Sequence, residues 1–220
     1  MLAALIFLNG DLKEGPAVDI ALERASAVPH LIVAVDGGLR HVFRLGLIPN
    51  VLIGDMDSVT PEEMTRAQHS GAEILKYPTH KDETDLELAL HLAVARGCSP
   101  IYLVSAIGSR LDQSLSNIHL LTLPNLHNRT VQIVADAQVS WVARPDETII
   151  RGAIGDTLSL IPLSAEVKNI TTEGLEYPLK GESLYLGPAR GVSNTLTHEL
   201  ARVRFSEGLL FIVHTYGKAE

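Results

Sequence analysis

The sequence predicts an α/β amino-terminal domain with a mostly parallel sheet, followed by a small all-β domain of the sandwich or barrel type. In the first part of the chain, short and nearly continuous apolar runs alternate with segments of helical spacing, the pattern of a parallel sheet covered on both faces. After about residue 130 the pattern changes to short alternating stretches with turn signals and no long helix. We place the boundary near residue 138, so the expected domains are 1–138 and 139–220.

The strands predicted for the first domain are residues 2–8, 31–35, 51–53, 73–76 and 101–105. Helix-start signals lie between them. Thr60 with Pro61 and Glu63 combines an N-cap, a proline at the first helical position and a capping box. Thr84 and Glu87 repeat the box before a second helix. Strands and helices in alternation indicate an α/β unit.

Two further elements are predicted from local pattern. A third helix is expected to start at Ser109, with Leu111, Leu115 and Ile118 on its apolar face. In the second domain, residues 203–205 and 209–213 flank a short segment that contains a glycine, and they are expected to pair as a hairpin.

Composition limits the classes of function. The chain has 220 residues and a mass of 23.8 kDa, and 46% hydrophobic with 20% charged residues is typical of a globular protein. The formal net charge of −8 argues against nucleic acid or an anionic membrane as the main partner. No apolar run approaches the ~20 residues of a membrane span. Cys98 is the single cysteine, which fits a reducing compartment, and we expect a cytoplasmic location.

Polar and glycine residues follow every predicted strand of the first domain. The strand ends carry Asn9-Gly10-Asp11, Asp36-Gly37-Gly38, Gly54-Asp55-Met56-Asp57-Ser58, Thr79-His80-Lys81-Asp82 and Gly108-Ser109-Arg110-Leu111-Asp112. Ligands of open parallel sheets bind outside the carboxyl ends of the strands, so these loops are expected to line one crevice. Loops are polar in any case, but the repeated occurrence of glycine beside aspartate favours a binding site.

Several carboxylates lie within a short stretch of chain, those of Asp55, Asp57, Asp82 and Asp85. Two carboxylates ~5 Å apart repel by roughly 3 kcal/mol at an effective dielectric of ~20, so a fold that brings them together needs a cation. Oxygen-only ligands indicate Mg²⁺ rather than zinc. The alternatives are a turn in which the aspartates bond their own backbone and, for Asp82 and Asp85, capping of a helix start. A helix start also offers N–H groups to a phosphate, with Lys81 beside it.

The remaining motifs are less specific. Asp36-Gly37-Gly38 is compatible with a plain tight turn, Arg110 and Asp112 with surface residues at a helix start, and Ser193-Asn194 with a polar turn. The sequence has neither the glycine fingerprint of a dinucleotide site nor a Walker-type glycine loop. NAD, FAD and ordinary P-loop chemistry are therefore not expected.

In their order and spacing, these motifs resemble the thiamine pyrophosphokinase (thiamine diphosphokinase) family. The segments that carry the resemblance are Val35-Asp36-Gly37-Gly38, residues 49–58, Lys81-Asp82-Glu83-Thr84-Asp85, residues 108–117, Gly174-Leu175-Glu176-Tyr177-Pro178-Leu179 and Gly191-Val192-Ser193-Asn194. Met56 and Leu111 stand where the family favours an aromatic residue, and Thr195 where an acidic residue is common. None of these departures removes a proposed ligand.

The resemblance implies transfer of the terminal diphosphate of ATP to the hydroxyl of thiamine, which gives thiamine diphosphate and AMP. It implies that Asp55, Asp57 and Asp85 hold Mg²⁺ against the phosphates, with Asp82 in support. Lys81 and Arg110 would contact phosphate.

The resemblance assigns further roles outside the acidic stretch. Asp36, Gly37 and Gly38 would lie on the nucleotide side of the crevice, and Asp112 stands where the family has an essential acid that contacts substrate. Ser193 and Asn194 would meet the thiamine ring. The family also implies an ATP-binding first domain, a second domain that helps to bind thiamine, and a homodimer with active sites between subunits.

Two other functions remain open from the residues alone. A metal-dependent nucleotide-sugar transferase also uses an Asp-x-Asp motif, although the second domain offers no aromatic cluster for an acceptor sugar. A non-catalytic nucleotide sensor would bind ATP without turnover.

Overall fold

The computed structural model describes residues 1–218, so the last two residues of the predicted second domain lie outside it. The chain divides into two units, Met1–Asp136 and the part that begins at Ala137. The strands of the first unit are β1 (Leu2–Phe7), β2 (His30–Val35), β3 (Val51–Gly54), β4 (Glu73–Lys76), β5 (Cys98–Val104) and β6 (Val131–Ala135). Its helices are α1 (Pro16–Ser26), α2 (Leu39–Arg44), α3 (Pro61–His69), α4 (Asp85–Ala95) and α5 (Leu111–Leu120), with 3₁₀ turns over Asp36–Gly38 and Pro124–Leu126.

The strands of the first unit pair in parallel, in the order β6-β5-β1-β2-β3-β4. The chain proceeds from β1 to β4 toward one edge and then returns through α4 to β5, which lies on the other side of β1. The strand order therefore reverses between β1 and β5. Open α/β sheets bind their ligands at such a reversal, outside the carboxyl ends of the strands.

The predicted helix starts are confirmed at α3 and α4. Thr60 accepts a hydrogen bond from the Glu63 N–H at 3.2 Å, and the Glu63 carboxylate accepts one from the Thr60 N–H at 2.9 Å. Thr84 caps α4 by accepting a hydrogen bond from the Glu87 N–H at 3.2 Å, but the predicted capping box is only half formed, because the return bond from the N-cap N–H is found in α3 alone of the two helices. These caps satisfy backbone donors that have no partner inside the helix.

The predicted apolar face of α5 is wrong. Leu111 is 79% exposed and Leu115 is 51% exposed, whereas the buried residues of this helix are Ser114 and Asn117. The helix begins at Leu111 rather than Ser109, with Arg110 as its N-cap. The buried face of α5 is polar because its side chains form hydrogen bonds with the preceding loop, as described below for the site.

The second unit is built only of strands in the part that the structure describes. These are β7 (Gln138–Ala143), β8 (Asp146–Arg151), β9 (Thr157–Pro162), β10 (Glu166–Glu173), β11 (Lys180–Tyr185), β12 (Asn194–Thr195), β13 (Leu200–Phe205) and β14 (Leu210–Thr215). They form two antiparallel groups, β12-β9-β14-β7 and β11-β10-β13-β8. Leu160 and Ile212 of the first group and Val167 and Val203 of the second belong to one buried cluster, so this unit is a β-sandwich.

The hairpin expected near the end of the chain does not form. β13 pairs with β8 and β10, whereas β14 pairs with β7 and β9. The connection is held by β10, because Ser206 N–H donates to Lys168 O at 3.0 Å and Lys168 N–H donates to Glu207 O at 3.1 Å. The chain therefore crosses from one sheet of the sandwich to the other. Within residues 1–218, no helix combines the length and the apolar character needed to cross a bilayer.

Candidate functional site

The carboxyl ends of the strands in the first unit surround a cavity of about 430 Å³. Each of the predicted strand-end segments contributes to its lining, among them Asp11, Asp36, Asp57, Lys81 and Arg110. The expected single crevice is thus present, and it lies at the reversal between β1 and β5. Its lining is rich in charged and polar groups, which suits a charged ligand.

Three aspartates form the acidic centre of the cavity. Asp36, Asp55 and Asp57 each place one carboxylate oxygen so that all three atoms lie within 4.8 Å of one another. Asp57 N–H donates to Asp55 Oδ1 at 3.1 Å, and Ser58 Oγ donates to Asp57 Oδ1 at 2.9 Å. The loop is a tight turn, since Met56 has a φ of 70°. The turn still keeps both carboxylates beside Asp36.

Asp36 is the buried member of this centre. Burial raises the pKa of its carboxyl group, the neighbouring Asp57 and Asp55 carboxylates add to the rise, and the Ser58 hydroxyl opposes it. Its Oδ1 atom is buried without a hydrogen-bond partner among the described residues. A buried, unpartnered carboxylate oxygen beside two other carboxylates is unfavourable unless a cation or a proton compensates it.

Gly54 allows Asp36 and Asp85 to approach the end of β3 from two sides. A Cβ atom at Gly54 would lie 3.1 Å from Asp36 Cβ and 3.4 Å from Asp85 Cγ, and the residue has a φ of 145°. Lys81 Nζ lies 3.0 Å from Asp85 Oδ1 and donates a hydrogen bond to Pro78 O at 3.0 Å. The ion pair is not aligned as a hydrogen bond, so Asp85 Oδ1 is another buried oxygen without such a partner among the described residues. Asp85 thus extends the acidic centre.

The structure does not bring Asp82 and Asp112 into the cavity lining, although Arg110 is part of it. The Asp112 side chain is 64% exposed and pairs with Arg110, whose Nε donates to Asp112 Oδ1 at 3.0 Å. This hydrogen bonding lowers the pKa of Asp112 to about 2. Asp112 is therefore ionised at neutral pH and holds the Arg110 guanidinium at the start of α5.

Gly37 and Gly38 make close backbone packing possible beneath the cavity. A Cβ atom at Gly38 would lie 2.1 Å from Phe7 O, and one at Gly37 would lie 2.6 Å from the Asn9 side chain. Both glycines are buried and neither is part of the cavity lining. They bring the end of β2 against the end of β1.

Asn194 supports a smaller cavity of about 260 Å³ in the second unit, lined also by Leu160, Tyr177, Arg190 and Val192. Its side-chain amide accepts a hydrogen bond from the Tyr177 N–H at 3.1 Å and donates one to the Tyr177 carbonyl at 2.8 Å, and its Oδ1 also accepts from the Thr195 N–H at 2.9 Å. Ser193 is exposed, has a φ of 58°, and donates its N–H to Ser159 Oγ at 3.0 Å. Asn194 therefore fixes the turn that carries Tyr177.

Sequence reasoning missed three cavity residues on α5, namely Gln113, Ser114 and Asn117, and the last two also support the preceding loop. Ser114 Oγ accepts a hydrogen bond from the Gly108 N–H at 3.1 Å, and Asn117 Nδ2 donates to Ala106 O at 2.7 Å. Both line the cavity and hold the loop between β5 and α5 in place. The available signal was their spacing of three residues on one helical face directly after a strand-end motif.

Comparisons with known proteins point to one family. Residues 23–158 match the family model described as thiamin pyrophosphokinase, catalytic domain, and residues 147–210 match thiamin pyrophosphokinase, vitamin B1 binding domain. Thiamine pyrophosphokinase of Bacillus subtilis is 30% identical over 186 residues, or 84% of this chain and 87% of that protein.

Solved structures show the same fold. Thiamine pyrophosphokinase from Bacillus subtilis has a TM-score of 0.85 at 25% identity, covering 98% of this chain and 99% of that one. The corresponding structure from Geobacillus thermodenitrificans has a TM-score of 0.83 at 26% identity, with 100% and 99% coverage.

Proposed function

The chain belongs to the thiamine pyrophosphokinase family, and we propose that the cavity of the first unit is where it performs the family's reaction. The protein is an enzyme that transfers diphosphate from ATP to thiamine and so serves thiamine diphosphate biosynthesis. The observation that carries the site proposal is the cluster of Asp36, Asp55 and Asp57 with its unpartnered buried oxygen. A nucleotide-sugar transferase and a non-catalytic sensor are not favoured, because the family matches run through both units.

The reaction needs alignment and charge compensation more than covalent catalysis. The thiamine hydroxyl oxygen forms a bond to the β-phosphorus of ATP, the bond from that phosphorus to the α,β-bridging oxygen breaks, and AMP leaves with the bridging oxygen. The hydroxyl proton is released. Lys81 and Arg110, both in the cavity lining, are suited to contact the phosphates as they gain and redistribute negative charge.

The acidic centre fits Mg²⁺. Asp36, Asp55 and Asp57 offer only oxygen donors, and Asp36 Oδ1 and Asp85 Oδ1 are buried acceptors without hydrogen-bond partners among the described residues. We propose that these four aspartates hold the ion, which would neutralise charge between the carboxylates and the phosphates. Asp82 remains a predicted supporting residue that does not line the cavity.

The second unit is proposed to contribute thiamine contacts. Support comes from the vitamin B1 binding domain match over residues 147–210 and from the cavity lined by Tyr177, Val192 and Asn194. Asn194 would act by fixing Tyr177, and Ser193 and Asp112 remain predicted substrate contacts.

Two wider proposals rest on the family resemblance and on composition. We propose a homodimer with active sites at the subunit interface, which sedimentation analysis would detect as a species of twice the chain mass. A cytoplasmic location is proposed from the single cysteine, Cys98.

The reaction is tested by incubating the protein with ATP, Mg²⁺ and thiamine and measuring AMP and thiamine diphosphate. We expect both products in equal amounts. ATP binding without either product would contradict the proposed function and favour the sensor.

The metal assignment is tested with Asp57→Asn. We expect turnover to fall by at least about 100-fold, because one carboxylate of the acidic centre is lost. Stability should be unchanged or slightly higher, since a repelling charge is removed. Asp19→Asn, at an exposed position in the first turn of α1, is the matched control and should retain turnover. Near-normal turnover in Asp57→Asn would refute the assignment.

A further inference from the structure

Two backbone segments meet at the reversal of the strand order, where they form one wall of the cavity. The segment after β1 donates hydrogen bonds to the segment after β5, from Gly10 N to Ser105 O at 3.0 Å and from Asp11 N to Ile107 O at 2.9 Å. A Cβ atom at Gly10 would lie 2.4 Å from Ser105 O, and one at Gly108 would lie 3.0 Å from Gly10 Cα. The backbones of the two segments are therefore in direct contact, and this packing leaves little freedom in their relative position.

His41 holds the first of these segments from outside the cavity. Its Nε2 atom lies 2.9 Å from Gly10 O, so both backbone polar groups of Gly10 are engaged. A carbonyl oxygen only accepts, and Nε2 must therefore carry the hydrogen. Burial lowers the pKa of His41, with the Gly10 contact opposing the shift, so the ring is neutral at pH 7. His41 itself does not line the cavity.

Residues on either side of Gly10 face the proposed ligand. Asn9 and Asp11 both line the cavity. The Asn9 amide lies against Gly37, since a Cβ atom at Gly37 would be 2.6 Å from Asn9 Cγ. A shift of Gly10 would move Asn9 and Asp11 together, because the three residues are consecutive and the surrounding packing is tight.

We propose that His41 is a positioning residue for ATP: by fixing the Gly10 carbonyl it sets the cavity wall that carries Asn9 and Asp11. This inference rests on the proposed function in taking ATP as the ligand. Without the His41 N–H, the Gly10 carbonyl would lose its hydrogen-bond partner. The cavity wall that carries Asn9 and Asp11 would then have to become ordered when the nucleotide binds, which costs binding free energy. Because the second unit is proposed to contribute the thiamine contacts, we expect the effect on nucleotide binding to exceed that on thiamine binding.

The test compares His41→Leu, which lacks a donor, with His41→Gln, whose side-chain amide can reach the same carbonyl. His41→Phe replaces the leucine variant if that protein does not fold. His30 supplies the matched control, because its Nδ1 contacts Val28 O at 3.0 Å at the opposite end of β2. His30→Leu removes a similar contact far from the cavity lining. The readouts are kcat, the KM of each substrate, and the Kd of a non-hydrolysable ATP analogue with Mg²⁺.

We expect His41→Leu to raise the KM for ATP and the Kd of the analogue by about tenfold, the effect of one lost hydrogen bond to a partly buried carbonyl. The KM for thiamine should change less than about twofold, and His41→Gln should recover most of the loss. His30→Leu should leave all binding constants unchanged. A His41→Leu protein with normal ATP binding, or with equal losses for ATP and thiamine, would overturn the proposal. If wild type binds the analogue without turnover, the proposed function fails, and the Kd comparison still decides the role of His41.

Discussion

At the scale of single residues, Gly54 allows Asp36 and Asp85 to pack closely against the end of β3. Alanine there would place a Cβ atom 3.1 Å from Asp36 Cβ at a φ of 145°. We expect Gly54→Ala to lower the free energy of unfolding by about 1–3 kcal/mol and to reduce turnover, because alanine is strained at this φ and Asp36 must shift to admit the new Cβ atom. Gly71→Ala is the control: its φ of 81° is also positive, but no atom of the described residues lies within 4 Å of the new Cβ. Normal turnover in Gly54→Ala, measured beside urea denaturation of both variants, would contradict this account.

A second residue, Asp156, links the stability of the β-sandwich to pH. Its buried carboxylate accepts hydrogen bonds from Ala153 N at 2.9 Å and Gly217 N at 2.7 Å and lies 2.8 Å from His214 Nε2. Burial alone would raise the pKa of Asp156, but these contacts outweigh it and hold the pKa below its usual value. The unfolded chain therefore binds the proton more readily, and the stabilisation present above about pH 4 is lost as pH falls through the folded pKa.

We expect Asp156→Asn to lower the free energy of unfolding at pH 7 by about 2–3 kcal/mol, because charge-assisted hydrogen bonds in a buried position are lost. The difference from wild type should narrow as the pH falls below about 4, since the unfolded wild-type chain then takes up a proton that the folded carboxylate still resists. Denaturant unfolding at a series of pH values measures this. A difference that stays constant across the series would exclude the proposed linkage.

At the scale of elements, local signals were read correctly where the deciding interactions are themselves local. The capping box of α3 joins residues three apart, and Thr60→Ala should lower the free energy of unfolding by about 1 kcal/mol. Thr65→Ala, in the interior of the same helix, should be neutral or slightly stabilising, because its hydroxyl only bonds back to Pro61 O. Thermal melts of the two variants provide the comparison, and equal destabilisation would contradict the capping role.

Local sequence pattern does not predict the features of an element that depend on residues far away in the sequence. The inner face of α5 is polar because Ser114 and Asn117 bond the preceding loop, and helical periodicity of apolar residues cannot report such a partner. The segment before β14 crosses from one sheet to the other because β10 holds its backbone. The residues in contact are nearly forty positions apart in the sequence. Asp36 joined the acidic centre for a similar reason, since it reaches Asp55 and Asp57 only through the pairing of β2 with β3.

At the scale of the whole molecule, the family matches and the packing divide the chain at different places. The catalytic-domain match extends to residue 158, whereas the first packed unit ends at Asp136. Strand β8 falls in the catalytic-domain match, yet it pairs with β13 of the sandwich. The sequence-derived boundary near residue 138 relied on the change from helical to alternating periodicity, which reports packing rather than family ancestry.

The effect of a bound nucleotide on thermal stability tests whether the acidic centre binds Mg²⁺ in the intact protein. A ligand that binds only the folded state stabilises it by RT ln(1 + [L]/Kd), or about 2.7 kcal/mol at 100-fold excess over Kd. We expect a non-hydrolysable ATP analogue to raise the Tm clearly in Mg²⁺ and only slightly with a chelator, because Asp36, Asp55 and Asp57 would then face the phosphates without a cation. Asp57→Asn should show a reduced Mg²⁺-dependent shift, whereas Asp19→Asn should match wild type. An equal Tm shift with and without Mg²⁺ would show that the carboxylates do not act through a metal, even if turnover were normal.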